Sequence, residues 1–370
     1  MQLLIKKDLF LKGINLTEKN IGRNLSLPVL NNVLIKTEKN NLKIISTDLE
    51  MAISVNIPAK IEKEGSLTVQ PRVLSGFLNS LSDENLSIKT EKNTLFIEQG
   101  DYKIKLNGED DKEFPILPKV SKTNTIEVNT QDFIKSLSQV INSVASSELK
   151  PELTGVFFSI TKNGIKLAAT DSFRLAEKTI NHETNMQGDF KFILPSKTVQ
   201  EIIRSFQDNE GQLFIFVDKN QVVIQNKSDQ KINIQLISKL IEGDYPEYTQ
   251  IIPKEFKTKS ISSKKDFTQQ VKAASIFTSR INDVKLNISG KKIEIESENN
   301  DIGKFHSSIN TVIEGEDKEV SFNCQYLLDG LSNIEGDEIL FKLNNNEGPT
   351  LLESSKHKNY FYVLMPIRGT

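Results

Sequence analysis

Three histidines, one cysteine and two Thr-Asp dipeptides are the first residues of this chain to test for chemistry. His182, His306 and His357 are scattered, with no pair at the spacing of a metal site. Cys324 has no partner thiol, so an intrachain disulfide is impossible and a reducing compartment is the natural setting. A buried, inert thiol is a better reading of it than a nucleophile. Thr47-Asp48 and Thr170-Asp171 could present a metal carboxylate, and Asp48 with Glu50 could pass for a catalytic pair. The simpler reading is an aspartate that accepts backbone N–H groups at a strand end. Alternation puts Asp48 and Glu50 on one strand face with no partner motif. There is no phosphate loop, no GxGxxG and no GxSxG. The residues recommend no enzyme, no metal and no cofactor.

Residues that could bind rather than react are more plentiful. Lys7, Lys12, Arg23, Arg72, Lys135, Lys150, Lys197, Arg204, Lys264, Lys265, Lys272 and Arg280 lie on or beside helical patterns. For any one of them a solvated helix face is as good an account as contact with a polyanion. The formal net charge is −2. That opposes a protein that is basic everywhere, but not one whose positive charge is confined to a single surface.

The elements that must position these residues come in three copies. Leu30-Asn31-Asn32-Val33-Leu34-Ile35 with Thr47-Asp48 is answered by Leu153-Thr154-Gly155-Val156-Phe157-Phe158 with Thr170-Asp171, at one offset of 123 (153 − 30 and 170 − 47). A fainter copy runs from Val284 through Ile295 to Glu298, which stands where the threonines do. Three units of roughly 120 residues fill the 370. Units that long are domains, not solenoid repeats.

Each unit opens with a helical pattern. The first runs from Asp8 to Leu16. The second is capped by Asn129 or Thr130, with Phe133, Leu137, Val140, Ile141 and Val144 on one face. The third is capped by Ser262 or Ser263, with Phe267, Val271, Ala274 and Phe277 buried. Short alternating strands follow, then a second helix after Pro71, Pro195-Ser196 and Asn323, then closing strands that end at Leu106, Ile237 and Leu364. Two helices and about eight strands per unit make an α+β fold. Proline-bounded junctions place the domains at 1–121, 122–253 and 254–370. The chain has no apolar run of membrane-spanning length and no signal-peptide layout, so the expected location is the cytoplasm.

Several segments carry a resemblance. They are Leu27-Pro28-Val29-Leu30-Asn31-Asn32, Thr47-Asp48-Leu49-Glu50, Pro151-Glu152-Leu153-Thr154-Gly155, Ala169-Thr170-Asp171-Ser172-Phe173-Arg174-Leu175-Ala176, Gly243-Asp244-Tyr245-Pro246, Phe322-Asn323 with Tyr326, and Met365-Pro366-Ile367-Arg368. In this order the chain resembles, over its whole length, the bacterial sliding clamp family, the beta subunits of DNA polymerase III. The resemblance implies three similar clamp domains, each with two helices against antiparallel sheets. It implies a head-to-tail homodimer, a six-domain ring around duplex DNA. The implied partners are double-stranded DNA, the polymerase III catalytic subunit, the clamp loader and other clamp-motif proteins of replication and repair, with no membrane. Arg23, Arg72, Lys150 and Lys197 are the implied DNA-facing residues.

The resemblance also implies a peptide pocket between the second and third units. Its positions are Leu153, Thr170, Ser172, Arg174, Leu175, Pro246, Ile251, Val363, Leu364, Met365, Pro366 and Arg368, with Asn323 and Tyr326 adding polar contacts. Apolar walls suit the Leu and Phe side chains of a linear motif, and Arg174 and Arg368 suit peptide carbonyls or carboxylates. The family often has Gly where Ser172 stands, so a side chain there is expected to narrow the pocket. It also tends to end on an apolar residue, where this chain has Gly369-Thr370. Two other readings stay open: a hydrolase or transferase with an interlobe cleft, and a monomeric scaffold of repeated binding domains.

Overall fold

A computed structural model describes residues 1–22, 27–82, 84–118, 125–183, 188–226 and 231–367. Each repeat contributes two helices. They are α1 (Lys7–Glu18) and α2 (Pro71–Asn79), α3 (Thr130–Val140) and α4 (Ser196–Phe206), and α5 (Lys264–Ala274) and α6 (Cys324–Asn333). The strands pair antiparallel throughout, as five-, eight- and twelve-stranded sheets among the described residues. The fold is therefore the three-domain α+β arrangement. No described helix is long and apolar enough to cross a membrane.

The caps follow the sequence. Asn129 Oδ1 accepts from the Asp132 amide at 3.1 Å, Ser263 Oγ from the Asp266 amide at 3.3 Å, and Asn323 Oδ1 from the Tyr326 amide at 3.1 Å. Two helix ends fall earlier than the periodicity suggested. A 3-10 turn, Ile141–Ser143, succeeds α3 and leaves Val144 outside it. Another, Ser275–Phe277, succeeds α5 and carries Phe277 off the buried stripe, to stack near Phe305 with centroids 6.1 Å apart. The tighter 3-10 winding rotates the next side chains away from the face that the 3.6-residue period predicts.

The described chain forms two compact units. One holds the described residues of 1–134 together with 200–240. The other holds 135–183, 188–199 and the described residues of 241–370. The middle repeat contributes to both. In each unit a closing strand of one repeat pairs with the hairpin strand of the repeat before it. In the first unit Asn233–Lys239 pairs with Met51–Pro58, setting Ser238 opposite Met51, Ile237 opposite Ala52 and Leu236 opposite Ile53. In the second unit Tyr360–Leu364 pairs with Arg174–Asn181, setting Leu364 opposite Arg174, Val363 opposite Leu175 and Tyr362 opposite Ala176.

Two partners of this type are left open. Tyr102–Asn107, the first repeat's closing strand, is the edge of its sheet. Gly303–Gly315, the third repeat's hairpin strand, pairs on one side through residues 303–310 and on the other only through 311–315.

Helices meet the sheets closely at two glycines. A Cβ on Gly13 of α1 would lie 2.4 Å from Ile57 Cδ1, and one on Gly330 of α6 would lie 2.5 Å from Tyr362 Cδ1. Each repeat also anchors its first helix with a fully buried phenylalanine: Phe10, Phe133 and Phe267. Truncating any one leaves a cavity the size of a ring. Phe10→Ala, Phe133→Ala and Phe267→Ala are each expected to cost roughly 3–5 kcal/mol, read as lowered denaturation midpoints.

Candidate functional site

The two Thr-Asp dipeptides build the same turn. Asp48 Oδ1 accepts from the amides of Glu50 and Met51 at 3.1 and 2.8 Å, and Asp171 Oδ1 accepts from those of Phe173 and Arg174, both at 2.9 Å. Thr47 and Thr170 each donate a hydroxyl to a carbonyl four residues on and accept the amide two residues on. The bonded turn holds Leu49 and Ser172 at φ values of 76° and 77°, in the left-handed region that non-glycine residues seldom occupy. These aspartates accept backbone amides at a strand end, as expected, but Asp48 and Glu50 do not share a strand face: residues 48–50 form the turn between the strands Asn41–Thr47 and Met51–Pro58.

In the second repeat the turn is tied to a helix of the third. Arg174 Nε donates to Asp171 Oδ2 at 2.9 Å, and Nη1 donates to Asp329 on α6. The guanidinium carbon lies 4.1 Å from the centroid of the Tyr326 ring, and Tyr362 donates its hydroxyl to the Tyr326 carbonyl at 2.9 Å. Burial opposes the charge, but Tyr362, Asp329 and Asp171 outweigh it and hold the guanidinium above its ordinary value. The Arg174 side chain is only 11 % exposed, and two of its donors are committed to carboxylates within the protein.

Above this network lies a groove of about 790 Å³ lined by Ser172, Phe173, Ile281, Asn323, Tyr326, Met365, Pro366 and Ile367. None of these carries a formal charge. The chain end is stitched along it: the Met365 amide donates to the Phe173 carbonyl and the Ile367 amide to the Ser321 carbonyl, both at 2.8 Å.

Of the residues expected from the sequence, Ser172, Asn323, Tyr326, Met365 and Pro366 come together here. Leu153, Thr170, Leu175, Val363 and Leu364 are buried and do not line it, Leu175 and Val363 lying in one apolar cluster with Tyr248. Pro246 lines a different cavity of about 530 Å³, with Phe157, Tyr245 and Tyr248. Ile251 is exposed, and it lines neither cavity. Arg368 lies outside the described residues.

Sequence reasoning did not single out Phe173, Ile281 and Ile367. Phe173 and Ile281 are 62 % and 53 % exposed. An isoleucine inside the polar turn Ser279-Arg280-Ile281-Asn282 was the signal to notice.

The cationic candidates differ in their surroundings. Lys7 pairs with Asp8 at 3.2 Å and Lys135 with Glu335 at 3.1 Å. Arg204 is tied to Glu201 and to the carbonyls of Asn15 and Leu16, and Lys264 to the carbonyls of Ser332 and Ile334. Those four are engaged within the fold. Arg72, at the start of α2, has a side chain 73 % exposed and 3.9 Å from Glu18. Lys150, and Lys197 in the first turn of α4, are exposed. Arg23 lies outside the described residues.

Nothing in this region suggests bond-making. Among the described residues no three His, Cys, Asp or Glu side chains are grouped to hold a metal ion. Burial pushes the Cys324 thiol up to about 11, so it stays protonated at neutral pH.

Removing the Arg174 side chain would leave Asp171 and Asp329 without their shared cation. Arg174→Ala is expected to cost roughly 3 kcal/mol or more, measured by chemical denaturation. Asp329→Asn, which keeps the shape and a hydrogen-bond acceptor, should cost less.

Comparison with known proteins matches the same three-part organisation. The family models for the DNA polymerase III beta subunit match in order: the N-terminal domain over residues 1–118, the central domain over 127–247 and the C-terminal domain over 249–368. The beta sliding clamp of Bacillus subtilis is 29 % identical over 382 residues, covering all of both chains. That of Staphylococcus epidermidis is 28 % identical, covering all of this chain and 99 % of the relative. The crystal structure of the Bacillus subtilis clamp superposes with a TM-score of 0.93 at 28 % identity, over the full length of both. A Pseudomonas aeruginosa clamp bound to griselimycin shares the fold, with a TM-score of 0.93 at 22 % identity. With three clamp domains in sequence and full-length similarity, this chain belongs to the bacterial beta sliding clamps, the non-catalytic processivity subunits of DNA polymerase III.

Proposed function

We propose that two copies of this chain, each of three domains with boundaries near 121 and 253, close head to tail into a ring around duplex DNA and tether the replicative polymerase to it. The observation that carries this reading is the junction between repeats. Both internal junctions set the first residue of a hairpin strand opposite the end of the next repeat's closing strand. The open hairpin strand of the third repeat and the open closing strand of the first are the two halves of one more such junction. A heterologous contact of this kind closes when the rotation per domain brings the last edge to the first. Closure also hides two strand edges that would otherwise invite aggregation.

Topological retention fits the charge of the chain. A net charge of −2 is small for tight binding by attraction to phosphates alone. Arg72, Lys150 and Lys197 then serve as sequence-independent contacts while the ring prevents escape. The test uses circular and linear DNA. Loaded protein is expected to remain on a nicked circle and to be lost when that circle is cut. By light scattering at micromolar concentration the protein should be a dimer. A monomer that binds linear and circular DNA alike would support the scaffold reading instead.

The groove is the proposed docking site for short apolar motifs of the polymerase catalytic subunit, the clamp loader and other partners. Its uncharged walls favour aliphatic and aromatic side chains, and bringing the polymerase within linker reach raises its effective concentration at the primer end. Tyr326→Ala and Met365→Ala should each weaken a labelled Gln- and Leu-rich peptide by roughly tenfold or more, with the dimer mass unchanged. Unaltered affinity in both variants would place the docking site elsewhere.

A further inference from the structure

We infer that the joint between two copies is the one junction of the ring at which cations stand opposite each other, and that this lowers its affinity relative to an uncharged joint. The inference rests on the ring reading above and adds the register of the closing contact and its charge.

The register follows from the repeats. Thr47 pairs with Ala52 and Thr170 with Leu175 across their hairpins, and Glu298, at the equivalent position, pairs with Lys304. Lys304 is therefore the counterpart of Ala52, and Gly303 that of Met51. In the closing strands, the Gly108 amide bonds the Asn93 carbonyl as the Leu240 amide bonds the Asn220 carbonyl. Leu106 is thus the counterpart of Ser238, and Lys105 that of Ile237. Met51 faces Ser238 and Ala52 faces Ile237 at the first internal junction. The same rule sets Gly303 opposite Leu106 of the second copy, Lys304 opposite Lys105, Phe305 opposite Ile104 and His306 opposite Lys103.

The two faces of that ladder differ. Phe305, backed by Phe277, meets Ile104 and Leu106 on the side that the half-buried residues of both strands occupy. The other side carries Lys304 against Lys105 and His306 against Lys103, all exposed. Carboxylates are present, but on the far flanks: Lys304 reaches Glu298 at 2.7 Å, His306 approaches Glu296 at 3.2 Å and Lys103 lies 3.4 Å from Glu98. No carboxylate lies within the paired stretches Gly303–Ser307 and Tyr102–Leu106.

The internal junctions contain no such opposition. The first pairs only uncharged residues, from Met51 with Ser238 to Asn56 with Asn233. In the second, Arg174, Glu177 and Lys178 face Leu364, Phe361 and Tyr360. Like charges directly opposite on a sheet face are destabilising. The ring's covalently continuous junctions are thus free of a repulsion that its separable joint carries, which suits a joint that must open to admit DNA.

The test is a charge cycle on the intact protein, with the dimer dissociation constant read by sedimentation. Lys105→Glu turns the opposed pair into an attractive one and should tighten the dimer, roughly threefold to tenfold for an exposed cross-strand pair. Lys304→Gln removes one cation and should tighten it less. In the Lys304→Gln background, Lys105→Glu should gain distinctly less than it does alone. Thermal melts of each variant's monomer at high dilution check that folding is unchanged. A dimer whose affinity is unmoved or weakened by Lys105→Glu, or whose gain is indifferent to Lys304→Gln, overturns the register and its charge while leaving the ring standing. A wild-type protein that is monomeric at every concentration overturns the ring itself.

Discussion

Main-chain pairing between a closing strand and the hairpin strand of the preceding repeat is the constraint on which the structure depends. A sheet cannot end on a strand rich in apolar residues without leaving a row of unpaired amides and carbonyls. Here two of those rows are filled from within the chain, by Asn233–Lys239 and by Tyr360–Leu364. The pairing also explains why compactness does not follow the repeats: the middle one gives strands to both compact units. The turn that starts each hairpin strand sets the register, and an aspartate with a threonine fixes that turn in the first two repeats.

The groove depends on the same turn. Asp171 accepts two amides with one oxygen and Arg174 with the other, so a single carboxylate shapes the loop carrying Ser172 and Phe173 and joins it to the guanidinium. Arg174 reaches Asp329 and lies over Tyr326, which brings the wall formed by α6 to the wall formed by the turn. A charge cluster buried this deeply contributes little net stability. Its value is geometric, since α6 cannot slide without breaking a charge-assisted bond. The groove itself is left uncharged, so its selectivity rests on shape and apolar contact.

The cationic residues show how little a count of lysines reveals about a surface. Arg204 and Lys264 lie on helices and read as polyanion contacts, yet their donors close off backbone carbonyls within the fold. Arg72 keeps most of its side chain in solvent. Residue type and helical spacing are the same in these cases. Distance to a carbonyl decides which are available, and that distance depends on how chain segments up to 189 residues apart meet.

The sequence by itself determined the threefold organisation and the helix starts, and it shows no grouped histidines. These are local: an offset of 123, a cap at Asn129, Ser263 or Asn323, and scattered histidines are read along one stretch of chain at a time. The resemblance it carries pointed to five of the eight residues that line the groove, Ser172, Asn323, Tyr326, Met365 and Pro366, because they lie in motif-bearing segments. Tertiary structure alone decided the rest. Ile281 and Ile367 enter the groove through the meeting of distant turns, and Leu175 and Val363 leave it because they face an apolar cluster on the same sheet. Strand alternation tells which residues share a face but not what covers that face.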